Sequence, residues 1–152
     1  MDAPKVPGNA GNRESHSIKQ RLLVLEDEPS VMRSMRHMLR RYSIIEATTA
    51  EQALRLFIDH GRYVDLLLVD VTLPTSSGIQ VALLLRSEIP RLPVILISGY
   101  PVSGWCRNDS ADLDRLGSTS VAILQKPLQV QGLLRAVRRL TGTALSESAG
   151  TA

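Results

Sequence analysis

The chain has a single cysteine, Cys106, in 152 residues. No intrachain disulfide can form, and no zinc site built on several cysteines. That usage suits a reducing compartment and predicts a cytoplasmic protein. Aromatic residues are scarce, at 3%, which leaves little material for stacking nucleic-acid bases. Charge is nearly balanced, with a formal net value of +3. Neither feature calls for a nucleic-acid partner. Long apolar runs are missing as well. The longest, such as 22–25 and 81–85, hold four or five residues, far short of the ~18 that a membrane span needs. No membrane partner is expected. The N-terminus has no apolar stretch resembling a secretory signal.

What is present is an ordinary globular composition, 43% hydrophobic and 22% charged, in a length suited to one domain. Residues 1–17 carry two prolines and two glycines among polar residues and read as a flexible tail. Residues 141–152 (TGTALSESAGTA) read the same way. The folded part is expected over 18–140.

Within it, short apolar runs alternate with helical patterns. The runs are LLVL at 22–25, LLLV at 66–69, VILI at 94–97 and VAIL at 121–124. A strand apolar at every position suits burial on both faces, as in a parallel sheet. SIIEAT at 43–48 is more polar and reads as a strand near an edge. Helical spacing begins at Pro29, a residue favoured in a first turn, and continues with Val31, Met35, Met38 and Leu39. Further helical patterns cover 50–60, 77–88 and 128–140, with a weaker one at 105–116. The result is an α/β domain: a doubly wound, five-stranded parallel sheet with five helices.

The residues that follow each apolar run carry the chemistry. Glu26, Asp27 and Glu28 follow the first strand, Asp70 the third, Ser98 the fourth, and Gln125 and Lys126 the fifth. All are carboxyl ends of parallel strands, the edge where ligands bind in such sheets. Crowded carboxylates repel one another unless a cation neutralises them. An all-oxygen set suits Mg²⁺, which usually takes one or two carboxylates with waters and phosphate oxygens. A lysine can pair with a phosphoryl oxygen, a serine can donate to another, and an aspartate can accept the phosphoryl group. Together they suit phosphoryl transfer onto an aspartate, where catalysis is mostly positioning and charge neutralisation.

The motifs LLVLEDEP (22–29), LLLVDVTLP (66–74) with the later Gly78, VILISGY (94–100) and QKPL (125–128) resemble those of the CheY-like receiver domains of bacterial two-component response regulators. The resemblance covers about residues 21–140 and implies a flavodoxin-like sheet in strand order 2-1-3-4-5. It implies a phospho-acceptor with at most slow self-dephosphorylation, not a turnover enzyme. Asp70 would accept the phosphoryl group from a phosphohistidine on a sensor histidine kinase. Asp27, Asp70 and the backbone carbonyl of Thr72 would ligate Mg²⁺, with Glu26 acting through a water. Lys126 would pair with phosphoryl oxygens, and Ser98 would donate a hydrogen bond and report phosphorylation. The Lys126–Pro127 bond would be cis, a geometry that X–Pro bonds adopt at small cost.

Two departures stand out. The family's switch position three residues before the lysine is usually aromatic, and here it is Ile123. The segment between Ser98 and Lys126 is long and holds Trp105 and Cys106, leaving the fourth helix open between shortened, displaced and mobile. Trp105 is open between core residue and partner anchor. Basic residues on the first helix, Arg33, Arg36 and Arg40, suit docking of the kinase or simply a solvated helix face. Arg135, Arg138 and Arg139 suit a solvated helix end.

Only twelve residues follow Leu140, so a single-domain response regulator is the first reading. It would signal through phosphorylation-dependent protein contacts or through phosphotransfer, for example with a histidine phosphotransfer protein. A receiver excised from a hybrid histidine kinase is the alternative. A phosphatase of the haloacid-dehalogenase type would want a second aspartate two positions after Asp70, where Thr72 stands. A homodimer through the last two helices and the strand between them is left open.

Overall fold

In the computed structural model, which describes residues 19–60 and 62–142, each expected strand and helix forms. The chain runs β1 (Arg21–Leu25), α1 (Pro29–Met38), β2 (Ser43–Ala47), α2 (Ala50–Asp59), β3 (Leu66–Asp70), α3 (Gly78–Glu88), β4 (Val94–Ser98), α4 (Arg107–Leu116), β5 (Val121–Gln125) and α5 (Val130–Thr141). A short 3₁₀ turn, Val102–Gly104, precedes α4. The expected tail at 1–17 and residues 143–152 of the other lie outside the described residues. Thr141, assigned to that tail, closes α5 instead.

The five strands are parallel, in order β2-β1-β3-β4-β5. Side chains alternate between faces, because strand period is two. Leu22 and Val24 of β1, Leu66 and Leu68 of β3 and Ile95 and Ile97 of β4 pack with Met32 and Met35 of α1 and Leu133 and Val137 of α5. Leu23, Leu25, Leu67, Val69, Val94 and Leu96 face the other way, against Phe57 of α2, Ile79 and Leu85 of α3 and Leu116 of α4. This is why β1, β3 and β4 carry no polar residue in the middle: both of their faces are covered.

The same argument fails for β5. Its apolar run predicts a strand buried on both faces, but β5 is the second edge of the sheet. Only Ala122 is buried, and Ile123 is 39% exposed. An apolar run does not reveal how many neighbours a strand will have. β2, the other edge, showed its position through Ser43 and Glu46.

Local signals set the helix starts. Pro29 opens α1. The Thr49 hydroxyl accepts from the Gln52 N–H at 3.1 Å, capping α2. The Ser77 hydroxyl accepts from the Ile79 N–H at 3.2 Å, capping α3.

The long segment after β4 is ordered into a full helix with three ties. The Trp105 indole N–H donates to Ser98 Oγ at 3.1 Å. Ser77 Oγ donates to Asp109 Oδ1 at 2.8 Å. Arg86 of α3 donates to four backbone carbonyls: Leu92, Leu116, Thr119 and Ser120, at 2.9–3.1 Å. The last set joins the end of α4 to the start of β5.

Candidate phosphorylation site

β1 leads to β2 on one side, and the chain then crosses to β3 on the other, so strand order reverses between β1 and β3. The crevice beyond their carboxyl ends is where such a sheet binds ligands. Three backbone bonds continue the ladders past the strand ends: Glu26 N–H to the Ala47 carbonyl at 3.0 Å, Val71 N–H to the Ile97 carbonyl at 2.8 Å, and Lys126 N–H to the Ser98 carbonyl at 2.8 Å. They hold the polar residues on rigid backbone.

Glu26, Asp27 and Asp70 offer carboxylate oxygens that all lie within 4.8 Å of one another. Glu26 and Asp70 are buried, whereas Asp27 is exposed. Lys126 supplies the cation, its Nζ 2.8 Å from Asp70 Oδ2 and 3.4 Å from Glu26 Oε2. Asp70 Oδ1 accepts from the Thr72 N–H at 2.9 Å. Glu26 Oε1 accepts from the Glu28 N–H at 3.1 Å, while Oε2 is buried without a hydrogen-bond partner among the described residues. The Lys126–Pro127 bond is cis, as the resemblance implied.

The electrostatics follow from this crowding. Burial pushes the Glu26 carboxyl up to about 7, and the Asp70 charge adds to the rise against the pull of the Glu28 N–H and Lys126. Burial pulls the Lys126 ammonium down, but Asp70 and Glu26 more than offset it, so its net direction is up. Three carboxylates against one ammonium leave the pocket short of positive charge. A buried Glu26 oxygen with no hydrogen bond and only the 3.4 Å ion pair to Lys126, beside an all-oxygen donor set, fits a hard divalent cation.

β4 delivers Ser98 to the same edge, one residue beyond the pairing of Asp70 with Ile97. Its hydroxyl turns into the following loop, donating to the Tyr100 carbonyl at 2.7 Å. Trp105 packs half-buried against the core while its N–H reaches Ser98, a contact across seven residues that no local pattern announces. Ile123 lies on β5 and is exposed. Arg33, Arg36 and Arg40 are exposed on or just after α1. Arg36 is already engaged: Nε and Nη2 each donate to Glu46 at 2.7 Å. Arg40 donates to the His37 carbonyl at 3.3 Å. The sequence reading missed Arg86, whose contacts lie up to 34 residues away.

Comparison with known proteins identifies the family. The sequence model described as "Response regulator receiver domain" matches residues 22–138. The chain belongs to that family. Transcriptional regulatory protein KdpE of Mycobacterium tuberculosis (strain CDC 1551 / Oshkosh) is 35% identical over 130 residues, covering 81% of this chain and 53% of KdpE. Sensor kinase CckA of Brucella abortus (strain 2308) is 30% identical over 121 residues, covering 78% of this chain and 12% of CckA. The chain therefore spans about half of one such relative and an eighth of the other. Among solved structures, the signal receiver domain of an HD domain-containing protein from Pseudomonas fluorescens Pf-5 superposes with a TM-score of 0.70 at 25% identity, covering 84% of this chain and 98% of that one. Among the described residues, no helix is long and apolar enough to cross a membrane.

Proposed function

We propose that this receiver accepts a phosphoryl group on Asp70 from the phosphohistidine of a sensor histidine kinase. The observation that carries the reading is the convergence of Glu26, Asp27, Asp70 and Lys126 from three separate strand ends. An Asp70 carboxylate oxygen forms the new O–P bond. The P–N bond of the phosphohistidine breaks, and the imidazole leaves with the electron pair. Lys126, already beside Asp70 Oδ2, pairs with the phosphoryl oxygens. The Thr72 N–H holds the other carboxylate oxygen and fixes the angle of attack.

Mg²⁺ would be held by Asp27, Asp70 and the Thr72 carbonyl, with Glu26 acting through a water. When bound, it neutralises the charge gathered on the transferring group. Thr72 leaves no carboxylate where a haloacid-dehalogenase-type phosphatase would need its general acid, so acceptance rather than turnover is the activity. The kinase partner is supported by the likeness to a sensor kinase. A histidine phosphotransfer protein would present the same chemistry. A groove lined by Ser30, Val31, Ser34, Met38, Pro127 and Leu128 reaches Lys126, and Arg33 extends it beside His37 and Val130. It offers a donor protein an apolar seat flanked by the α1 cations.

Intact mass after incubation with acetyl phosphate and Mg²⁺ tests the reading. One phosphoryl adduct is expected, absent from Asp70→Asn and from a sample with EDTA. An adduct that persists in Asp70→Asn would overturn it. Transfer from a phosphorylated kinase, rather than from acetyl phosphate, then tests the partner.

A further inference from the structure

The Ser98 hydroxyl is fully committed in this structure. A serine hydroxyl has one proton to donate and two lone pairs to offer. The proton goes to the Tyr100 carbonyl at 2.7 Å. The Tyr100 N–H, at 3.0 Å, and the Trp105 indole N–H, at 3.1 Å, take the lone pairs. The indole N–H is shared, since the Tyr100 carbonyl lies 3.2 Å from it. Ser98 is buried, so these bonds are shielded and each is costly to lose. Around them the chain is shaped to aim the indole. The turn Val102–Gly104 is closed by the Trp105 N–H to the Val102 carbonyl at 3.0 Å, and the ring packs against the core.

We propose that Trp105 is a positioning residue for phospho-acceptance: its indole N–H holds the Ser98 hydroxyl turned away from the acceptor site, and phosphoryl capture breaks that bond. The inference rests on the reading of Asp70 as phospho-acceptor. One hydroxyl proton cannot serve the Tyr100 carbonyl and a phosphoryl oxygen together. To donate to the phosphoryl group, Ser98 leaves the carbonyl and carries its lone pairs away from the indole. Trp105 then loses one of its two acceptors, and the segment ahead of α4 loses a tether. The exposed aliphatic Ile123, on the edge strand, offers Ser98 no hydrogen-bonding side chain. Trp105 couples to the serine from the opposite end of the loop. The other ties of α4, Ser77 to Asp109 and Arg86 to the Leu116 carbonyl, do not involve Ser98. Those two ties can persist while Ser98 and the loop that follows it, up to Cys106, rearrange.

Trp105 is the only tryptophan in the chain, so its emission reports the event directly. The probe is Mg²⁺ with beryllofluoride, a non-covalent phosphoryl mimic, and the full chain is used. Binding is followed separately by the ¹⁹F resonance of bound beryllofluoride. In the wild type, a bound ¹⁹F signal and a saturable change in Trp105 emission are expected at one common midpoint. Trp105→Phe keeps an aromatic ring but cannot hold the serine, so its ¹⁹F midpoint falls about fivefold, the equivalent of one hydrogen bond. Ser98→Ala approaches the same contact from the other side, and its emission no longer responds when ¹⁹F shows the site filled. A filled wild-type site with unchanged emission would overturn the inference. So would an unshifted midpoint in Trp105→Phe, or a full emission response in Ser98→Ala. Should the wild type bind no beryllofluoride, the phospho-acceptor reading itself fails, and this inference with it.

Discussion

Gly78→Ala is the sharpest test of how α3 meets the acceptor strand. A Cβ at Gly78 would fall 2.0 Å from the Asp70 carbonyl oxygen, 2.7 Å from Val69 Cγ2 and 2.8 Å from the Asp70 carbonyl carbon. Carbon and oxygen in contact rest about 3.3–3.6 Å apart, so helix and strand would have to separate by more than about 1 Å. The nearest obstacle is backbone, which has no rotamer to change. Separation also strains the bond from the Gly78 N–H to the Val71 carbonyl, now 3.0 Å. Overpacking costs about 1–3 kcal/mol and a weakened backbone bond about 1 kcal/mol. A loss of about 3 kcal/mol is expected, which lowers Tm by about 10 °C in a domain of this size. The control is Gly132→Ala in α5, where an added Cβ meets nothing within 4 Å. There alanine removes the glycine penalty inside a helix, and the domain gains up to about 1 kcal/mol. One substitution thus has opposite signs at two helical glycines. Urea and thermal unfolding followed by circular dichroism measure both, and adduct mass with acetyl phosphate shows whether acceptance also slows in Gly78→Ala. A Gly78→Ala protein melting within a degree or two of the wild type would refute the close-approach argument.

Two further predictions concern charge. Glu26 has its carboxyl raised from 4.5 to about 7 by burial, so the folded state binds its proton more tightly than the unfolded chain. Without Mg²⁺, stability therefore declines as pH rises from about 4.5 through 7, by up to about 3 kcal/mol. Urea unfolding between pH 5 and 8 should show that decline, with a smaller one in Glu26→Gln and recovery at pH 8 on adding Mg²⁺. Arg86→Met should cost about 2–3 kcal/mol in the same assay, because carbonyls at Leu92, Leu116, Thr119 and Ser120 lose their shared donor. Arg36→Met breaks only an exposed pair with Glu46 and should leave the melting point nearly unchanged. Equal losses for the two arginines would refute the distinction.

Much of the site was legible in the chain because its logic is local. Runs apolar at every position announced β1, β3 and β4, and the polar residue after each run had to lie at the carboxyl edge of a parallel sheet. Asp27, Asp70 and Ser98 follow from that alone, Lys126 follows the equally apolar run of β5, and the family motifs add their expected roles. Even the edge position of β2 showed in Ser43 and Glu46. What remained hidden depends on contacts between residues far apart in the chain. β5 carries the same apolar run as the central strands, yet only Ala122 is buried and Ile123 faces out. Glu26 looks like any solvent-seeking acid until the sheet end buries it beside Asp70 and Lys126. Arg86, Trp105 and the Ser77–Asp109 bond carry no periodic or motif signal, because each is defined by a carbonyl, carboxylate or hydroxyl that only folding brings near. Amino-acid pattern therefore determined which segments are strands and helices and which residues stand at their ends, since those depend on period and polarity. Tertiary structure decided which of those residues are buried, which hydrogen bonds they already hold, and how α4 is tied down, since desolvation and hydrogen bonding are set by neighbours the local pattern does not name.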